Sequence, residues 1–400
     1  MSDVPSGYRT ALAQPVARRL WLASLTSSVG DYIALGALLF LAADRTGLVL
    51  GAAAVVAVGV VPSVLAGILG GRWFDRFPRA PALAALQALG GGVVLLPILI
   101  DGTVVVIVTA AGLAAVRVAT ASIRSGAMAD AVSDEHRGPL VALLTTTDQA
   151  TQVAGYLTGA GLYVAVGADL ALVLDAVTFA ISAALLLTLP IPSPTTEPPA
   201  SRLTTGLEEI GRHPTLRLLA LLALATGLVG SSPEVLAPAV AAPRSPWRPV
   251  VLAAAPLGQA VTMLLLGRTR LLHRPRNLLV HLGVLAGALA LASVASSPAG
   301  TAAANLLIGG GTAWVLGAQV LFLRLAPRER MAQVTGAMIA GLAVADGIGS
   351  LALAALADRA GPAAAYLVGG VAIGFALVLG AWLRARSEVT RALDRADAAG

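Results

Sequence analysis

The chain has 400 residues, 57% of them hydrophobic and 12% charged, with a net charge of +6 and a mean hydropathy of +0.84. Soluble domains carry about 25% charged residues and divide beyond roughly 250 to 300 residues rather than enlarge one core, so the composition excludes a soluble globular protein and implies a bilayer. The absence of cysteine also excludes disulfides, thiolate nucleophiles and Cys-based metal sites.

The polar start, Met1 to Gln14, has no small-residue cleavage site after a short apolar core, so the first span is expected to be a retained anchor. A bilayer core of about 30 Å requires about 20 apolar residues per helix. Twelve segments of that kind follow in order: 20–43, 48–70, 81–100, 104–123, 141–164, 170–189, 216–240, 250–266, 278–295, 301–323, 334–357 and 363–382. The expected architecture is therefore an all-α membrane protein of twelve transmembrane helices in two six-helix halves. The halves are an N-terminal bundle over 1–189 and a C-terminal bundle over 216–383. Between them lies a cytoplasmic linker, 190–215, which contains Pro190, Pro192, Pro194, Pro198 and Pro199 and then a short amphipathic helix around 207–210. Residues 384–400 form a polar cytoplasmic tail.

All 27 basic residues are arginine, which with the alanine-rich spans points to a high-GC, bacterial coding bias. Positive residues in short loops stay in the cytoplasm. With both termini inside, only Arg45, Arg244, Arg248 and Arg359 fall on the outer side and Arg117 within a span; the rest, Arg124 among them, are assigned to the cytoplasmic face. The expected location is a bacterial inner membrane. Basic residues spread through loops do not form the clustered face that nucleic acid requires. The four histidines have no metal-binding spacing, so neither a metal nor a cofactor is expected. Asp134-Glu135-His136-Arg137 before the fifth span echoes Arg328-Glu329-Arg330 before the eleventh, and repeats of six about a linker are a transporter signature.

The loop Gly71-Arg72-Trp73-Phe74-Asp75-Arg76-Phe77-Pro78-Arg79 resembles the G-x-x-x-D-R-x-x-R loop of the major facilitator superfamily, with Pro78 at the glycine-like position. Gly30-Asp31, Asp175-Ala176-Val177-Thr178-Phe179 and Asp130-Ala131-Val132 through Arg137 make the chain similar, over nearly its whole length, to bacterial drug exporters of the macrolide-efflux and enterobactin-exporter type. One departure is that Gly155 is followed by Tyr156, where those exporters have a glycine-proline pair. The resemblance implies a cytoplasmic gating loop of Gly71, Asp75, Arg76, Arg79 and Asp130, in which Asp75 caps a helix N-terminus and Arg76 pairs with Asp130. An Asp-Arg-rich turn also satisfies charge sidedness alone.

A central Asp or Arg costs at least ~2.5–3.5 kcal/mol on insertion scales, so an intramembrane charge marks a functional candidate. Asp31, Arg117, Asp148, Asp175, Glu234, His281 and Asp346 qualify. The implied fold makes Asp31, Arg117 and Glu234 cavity residues and puts Asp148 and Asp346 at its border, with Asp175 and His281 structural. Burial disfavours the charged form of a carboxylate, which makes Asp31 the first candidate for proton coupling, with Asp346 and Asp148 after it. Candidate substrate contacts are Tyr32, Arg117, Gln149, Glu234, Gln259, Trp314 and Gln319. Further pocket-shaping or inter-helix residues are Gln152, Tyr156 and Asn305, while Trp21, Trp247 and Trp382 read as interfacial anchors. Arg117 equally fits a fixed ion pair with Asp31 or Asp148. Gly155 and Gly159 are spaced for close helix approach.

Together these features read as a monomeric secondary transporter, working by alternating access, that exports a small amphipathic molecule in exchange for protons. With no lysine there is no P-loop, so ATP does not drive it. A proton-coupled importer or uniporter is the alternative; a membrane sensor fits less well, and the few acids and histidines in the loops argue against an enzyme.

Overall fold

The computed structural model describes residues 4–69, 78–187, 189, 203–266, 278–315, 322, 325 and 330–384, and no β-strand occurs among them. The helices are α1 (Val4–Ala13), α2 (Pro15–Thr46), α3 (Val49–Ala57), α4 (Val60–Leu69), α5 (Arg79–Val94), α6 (Leu96–Leu99), α7 (Thr103–Ala131), α8 (Asp134–Val166) and α9 (Asp169–Leu187). After the linker come α10 (Leu203–Arg212), α11 (Pro214–Gly230), α12 (Ser232–Val240), α13 (Trp247–Leu266), α14 (Leu278–Val294), α15 (Pro298–Thr312), α16 (Met331–Ala360) and α17 (Pro362–Arg384). Eight helical stretches among the described residues are long and apolar enough to cross a membrane, and Val49–Leu65 and Leu279–Val294 are shorter apolar helices.

Among the described residues each of the twelve apolar segments lies mostly on helix, and four are interrupted, the tenth at Ala313 and three others next to a proline. Proline has no N–H to give to the carbonyl four residues back, so Pro62, Pro97 and Pro233 leave the carbonyls of Val58, Val93 and Val229 without that bond. The second span accordingly divides into α3 and α4, the third into α5 and α6, and the seventh into α11 and α12. The fourth span runs longer than hydropathy predicts, because α7 continues through Arg124 to Ala131.

The chain forms two compact units, residues 1–42 with 69–200, and residues 43–68 with 201–400. In the first unit α5 packs along both α7 and α9, and α8 contacts α1, α7 and α9. Helix α2 lies against α8 and α9. Trp21 donates its indole N–H to Thr147 at 2.9 Å, so its polar end serves a helix contact. Ser182 donates to the Ala23 carbonyl at 3.1 Å. Gly159 on α8 abuts the backbone carbonyl of Ile33, where any side chain would collide with main chain. The four-residue glycine spacing thus permits tight packing within the unit.

The second unit repeats the device: Gly349 on α16 abuts the carbonyl of Leu228 on α11. Its core joins Leu222, Leu285, Leu289, Ile308 and Ile373, with buried Tyr366 and Trp314. Asn305, completely buried, donates to the Val251 carbonyl at 3.2 Å and accepts from the Tyr366 hydroxyl at 3.1 Å. It therefore ties three helices together. His281 is buried on α14.

Two carboxylates make long-range anchors at helix ends in the second unit, one of them at the start of the second span. Leu48 offers no side-chain cap to α3, and Asp358 on α16 supplies one, accepting from the N–H of Val49 at 2.7 Å and of Leu50 at 3.1 Å. A carboxylate at a helix N-terminus satisfies orphan donors and meets the positive end of the dipole. Asp358→Ala should therefore destabilise the protein by about 1 kcal/mol, read as a lower melting temperature in detergent, with Asp358→Asn losing less. The second anchor is Asp44, whose carboxylate takes both terminal nitrogens of Arg248 at 2.7 and 2.8 Å.

The amphipathic linker helix is longer than the sequence indicates and docks on α16. Buried Glu209 accepts from Arg330 and faces His213 at 2.7 Å. The hydrogen-bonded Arg330 guanidinium holds the Glu209 carboxyl below the usual carboxylate range, with His213 adding to the effect. A carboxylate lowered by folding stabilises at pH above its unfolded value and loses that contribution as pH falls. A fluorophore on Leu207→Cys, in a chain with no native cysteine, should show constant anisotropy from pH 6 to 8. It should fall below about pH 4, and Glu209→Gln should lower it at every pH.

Candidate transport cavity

The polar residues of the first span recur as Ser24, Ser27, Ser28 and Asp31, a spacing of three and four that places them on one face of a helix. In α2 that face borders a cavity of about 80 Å³ inside the first unit, enough for several water molecules. Asp31 and Tyr32 join it from α2, Gln87 from α5, Val116, Arg117, Thr120, Ala121 and Arg124 from α7, Asp148 from α8, and Phe179 and Ser182 from α9. Arg117 and Arg124 are seven residues apart, two helical turns, so both side chains leave α7 on the same side.

The charges on the wall are held very differently. Tyr32 donates its hydroxyl to Asp148 at 3.2 Å and meets Tyr156 edge-to-face, with ring centroids 5.5 Å apart. Arg124 donates to the hydroxyl of Ser24 at 2.8 Å. Asp31 makes no hydrogen bond and no ion pair within 4 Å among the described residues, and neither does Arg117. The fields of Arg117, Asp148 and Arg124 all reach Asp31. A direct Arg117 ion pair with Asp31 or Asp148 is therefore absent.

Asp175 stands behind this wall. It is completely buried, does not border the cavity, and accepts from Thr178 at 3.1 Å. Its second oxygen has no partner among the described residues. Close by, Gly30 on α2 leaves the room that Asp175 and Thr178 occupy.

Of the residues singled out in the sequence, the structure brings together Asp31, Tyr32, Arg117 and Asp148. Gln149 is half-buried beside them on α8, its amide oxygen unpartnered, but it is not on the wall. Asp346, Glu234 and Gln259 belong to the second unit and do not border this cavity. Asp346 lies within reach of the hydroxyl and N–H of Ser231, which itself pairs with Ser350 at 2.6 Å. Glu234 and Gln259 are half-buried on α12 and α13. Trp314 is 1% exposed and fills core. Gln319, Gly71, Asp75 and Arg76 lie outside the described residues. Arg79 is buried at the start of α5 with its guanidinium filling the space beside Gly126 on α7, one turn before Asp130.

Sequence reasoning missed Arg124, Gln87, Thr120 and the four serines, Ser24, Ser27, Ser28 and Ser182. Arg124 was assigned to a cytoplasmic loop, yet it stands on the cavity wall within α7. The signals were present: the seven-residue spacing from Arg117 and the polar stripe leading to Asp31.

The arrangement is a polar, charge-lined cavity between five helices of the first unit. The sequence profile of the Major Facilitator Superfamily matches residues 20–317. The chain belongs to this superfamily. Solved structures similar to it include the nucleoside transporter NupG, at 12% identity and TM-score 0.70, covering 93% of this chain and 100% of that one. A bacterial homolog of the human lysosomal transporter Spinster, in an inward-facing and occupied conformation, is 15% identical at TM-score 0.69, covering 94% of this chain and 96% of that one. The human organic anion transporter MFSD10 (TETRAN) is 15% identical at TM-score 0.64, covering 92% and 99%. At such identities the likeness establishes the fold of a multi-pass membrane transporter. No curated protein sequence matches the chain.

Proposed function

We propose that this superfamily member is a proton-coupled secondary transporter of a small amphipathic molecule, working by alternating access as a monomer in a bacterial inner membrane with both termini in the cytoplasm. Asp31 carries the coupling proton. The observation behind this reading is a carboxylate on the wall of a cavity of about 80 Å³ between apolar segments, held by no hydrogen bond or ion pair among the described residues. An intramembrane charge is costly, and one without partners is free to take up and release a proton without dismantling a network. Asp148, bonded by Tyr32, is the fixed member of the pair. Asp346 in the second unit is the second candidate for proton coupling.

Outward movement of the molecule against inward protons is the direction that the resemblance to drug exporters carries. The gating loop of Gly71, Asp75, Arg76, Arg79 and Asp130 then serves as the cytoplasmic latch. A second reading, proton-coupled uptake of a small metabolite, is favoured by one observation: Arg124 places a second guanidinium in the cavity.

The deciding experiment follows accumulation of fluorescent cationic, neutral and anionic compounds in pump-deficient cells expressing the chain, with and without a protonophore. Export predicts lower accumulation of at least one compound and its restoration by the protonophore. Raised accumulation that the protonophore abolishes selects uptake. A protonophore-insensitive difference in either direction overturns proton coupling.

A further inference from the structure

The cavity wall presents more donors than its own acceptors use. Arg117 has no hydrogen bond or ion pair within 4 Å among the described residues, and it is more than a third exposed on the rim of the cavity. Arg124 spends one nitrogen on Ser24. Ser27, Ser28 and Ser182 stand on the same wall, although Ser182 is engaged by Ala23. The Thr120 hydroxyl, which can donate, is buried without a partner among the described residues. Buried polar groups in native proteins are paired, so unpartnered atoms on a cavity wall indicate an occupant with its own polar groups.

We propose that this occupant is an anion, a small amphipathic carboxylate, phosphate or sulfonate whose charged group lies between Arg117 and Arg124, and that it binds together with the proton on Asp31. This rests on the reading of Asp31 as proton carrier. The groups that face Asp31 are Arg117 and Arg124 from α7, Asp148 from α8 and Tyr32 from α2, with Asp175 behind on α9.

The physical reason is charge constancy. A proton loaded alone adds one positive charge to a wall inside the membrane, where an uncompensated charge is costly. A proton loaded with a monoanion leaves the wall's charge unchanged. Protonating Asp31 also removes the negative charge that both guanidiniums feel and leaves their N–H groups for the ligand. Guanidinium groups recognise carboxylate and phosphate through paired hydrogen bonds. Proton and anion therefore bind cooperatively, whereas a cation would compete with the proton. Cooperative loading selects the uptake direction from the two readings above.

The test measures the melting temperature of the purified full chain in detergent at pH 6 and pH 8. The probes are benzoate, phenyl phosphate and p-toluenesulfonate, with benzamide as the neutral and benzyltrimethylammonium as the cationic comparison. At least one anion should raise the melting temperature by about 2 °C or more, more at pH 6 than at pH 8, while the neutral and cationic probes do not. Arg124→Gln and Arg117→Gln should each remove the shift, and Arg124→Lys, which keeps the charge if the glutamine variant fails to fold, should keep part of it. Asp31→Asn should retain the anion shift and lose its pH dependence. A shift from the cation, or from no anion at either pH, overturns the anion site. An anion shift that is equal at both pH values and indifferent to Asp31→Asn keeps the anion site and overturns Asp31 as carrier.

Discussion

Replacing Asp31 by Asn should leave the protein able to exchange its substrate but unable to concentrate it. Asparagine has the shape of aspartate and no titrating proton. Because Asp31 makes no hydrogen bond or ion pair among the described residues, the substitution breaks no contact, and the melting temperature should stay within about 2 °C of wild type. In proteoliposomes with an imposed pH gradient, Asp31→Asn should reduce net uphill transport to that of empty vesicles. Counterflow, which needs binding and conformational cycling but no net proton movement, should persist within a factor of a few. Asp148→Asn is the contrast: Tyr32 can still donate to the amide oxygen, so uphill transport should fall only partly. Uphill transport at the wild-type rate in Asp31→Asn would move the coupling elsewhere, with Asp346 next in order.

The same cavity shows what a hydropathy profile can and cannot see. Asp31, Arg117 and Asp148 were legible because a charge inside an apolar run is rare and costly. Arg124 was not, because a hydropathy window ends a span at the first charge after a long apolar stretch, whereas the helix itself continues to Ala131. The helix ends where its backbone hydrogen bonds end, and a polar last turn that faces a cavity is invisible to a scale of apolarity. Periodicity does contain it: position 124 follows 117 by two turns, and positions 24, 27, 28 and 31 follow one face of α2. Proline alone did not give the breaks: Pro62, Pro97 and Pro233 stand beside three of them, but Pro238 and Pro256 lie inside continuous helices, and the turn at Ala313 has no proline. The partner of Trp21 was hidden for a different reason: Thr147 is 126 residues away, and a tertiary contact leaves no mark on local composition. Trp314, read as a cavity surface, is core because its neighbours come from distant helices.

The partnership of Asp44 with Arg248 was the least legible of all, being separated by 204 residues, and it carries the largest expected stability effect. Asp44 lies in the last turn of α2 and Arg248 in the first turn of α13. Each charge is at the end of its helix that the backbone dipole disfavours, so neither position is explained without the other. Arg248 is the buried partner, its side chain 1% exposed against 28% for Asp44, and it also donates to the Ala241 carbonyl at 3.2 Å. Removing one member of a buried pair costs about 3–5 kcal/mol because the other is left uncompensated. The asymmetry in exposure then sets an order. Asp44→Ala, which strands the buried guanidinium, should approach the full penalty. Arg248→Met, which fills the same space and leaves a carboxylate that water can reach, should cost less. The double variant should recover much of the loss, since an apolar replacement of both partners removes the desolvation cost together with the attraction. Melting temperatures of the four proteins in one detergent form the cycle that checks this. Strict additivity of the two single effects would mean that the pair contributes geometry without coupling, and equal single effects would mean that burial of Arg248 does not set the cost.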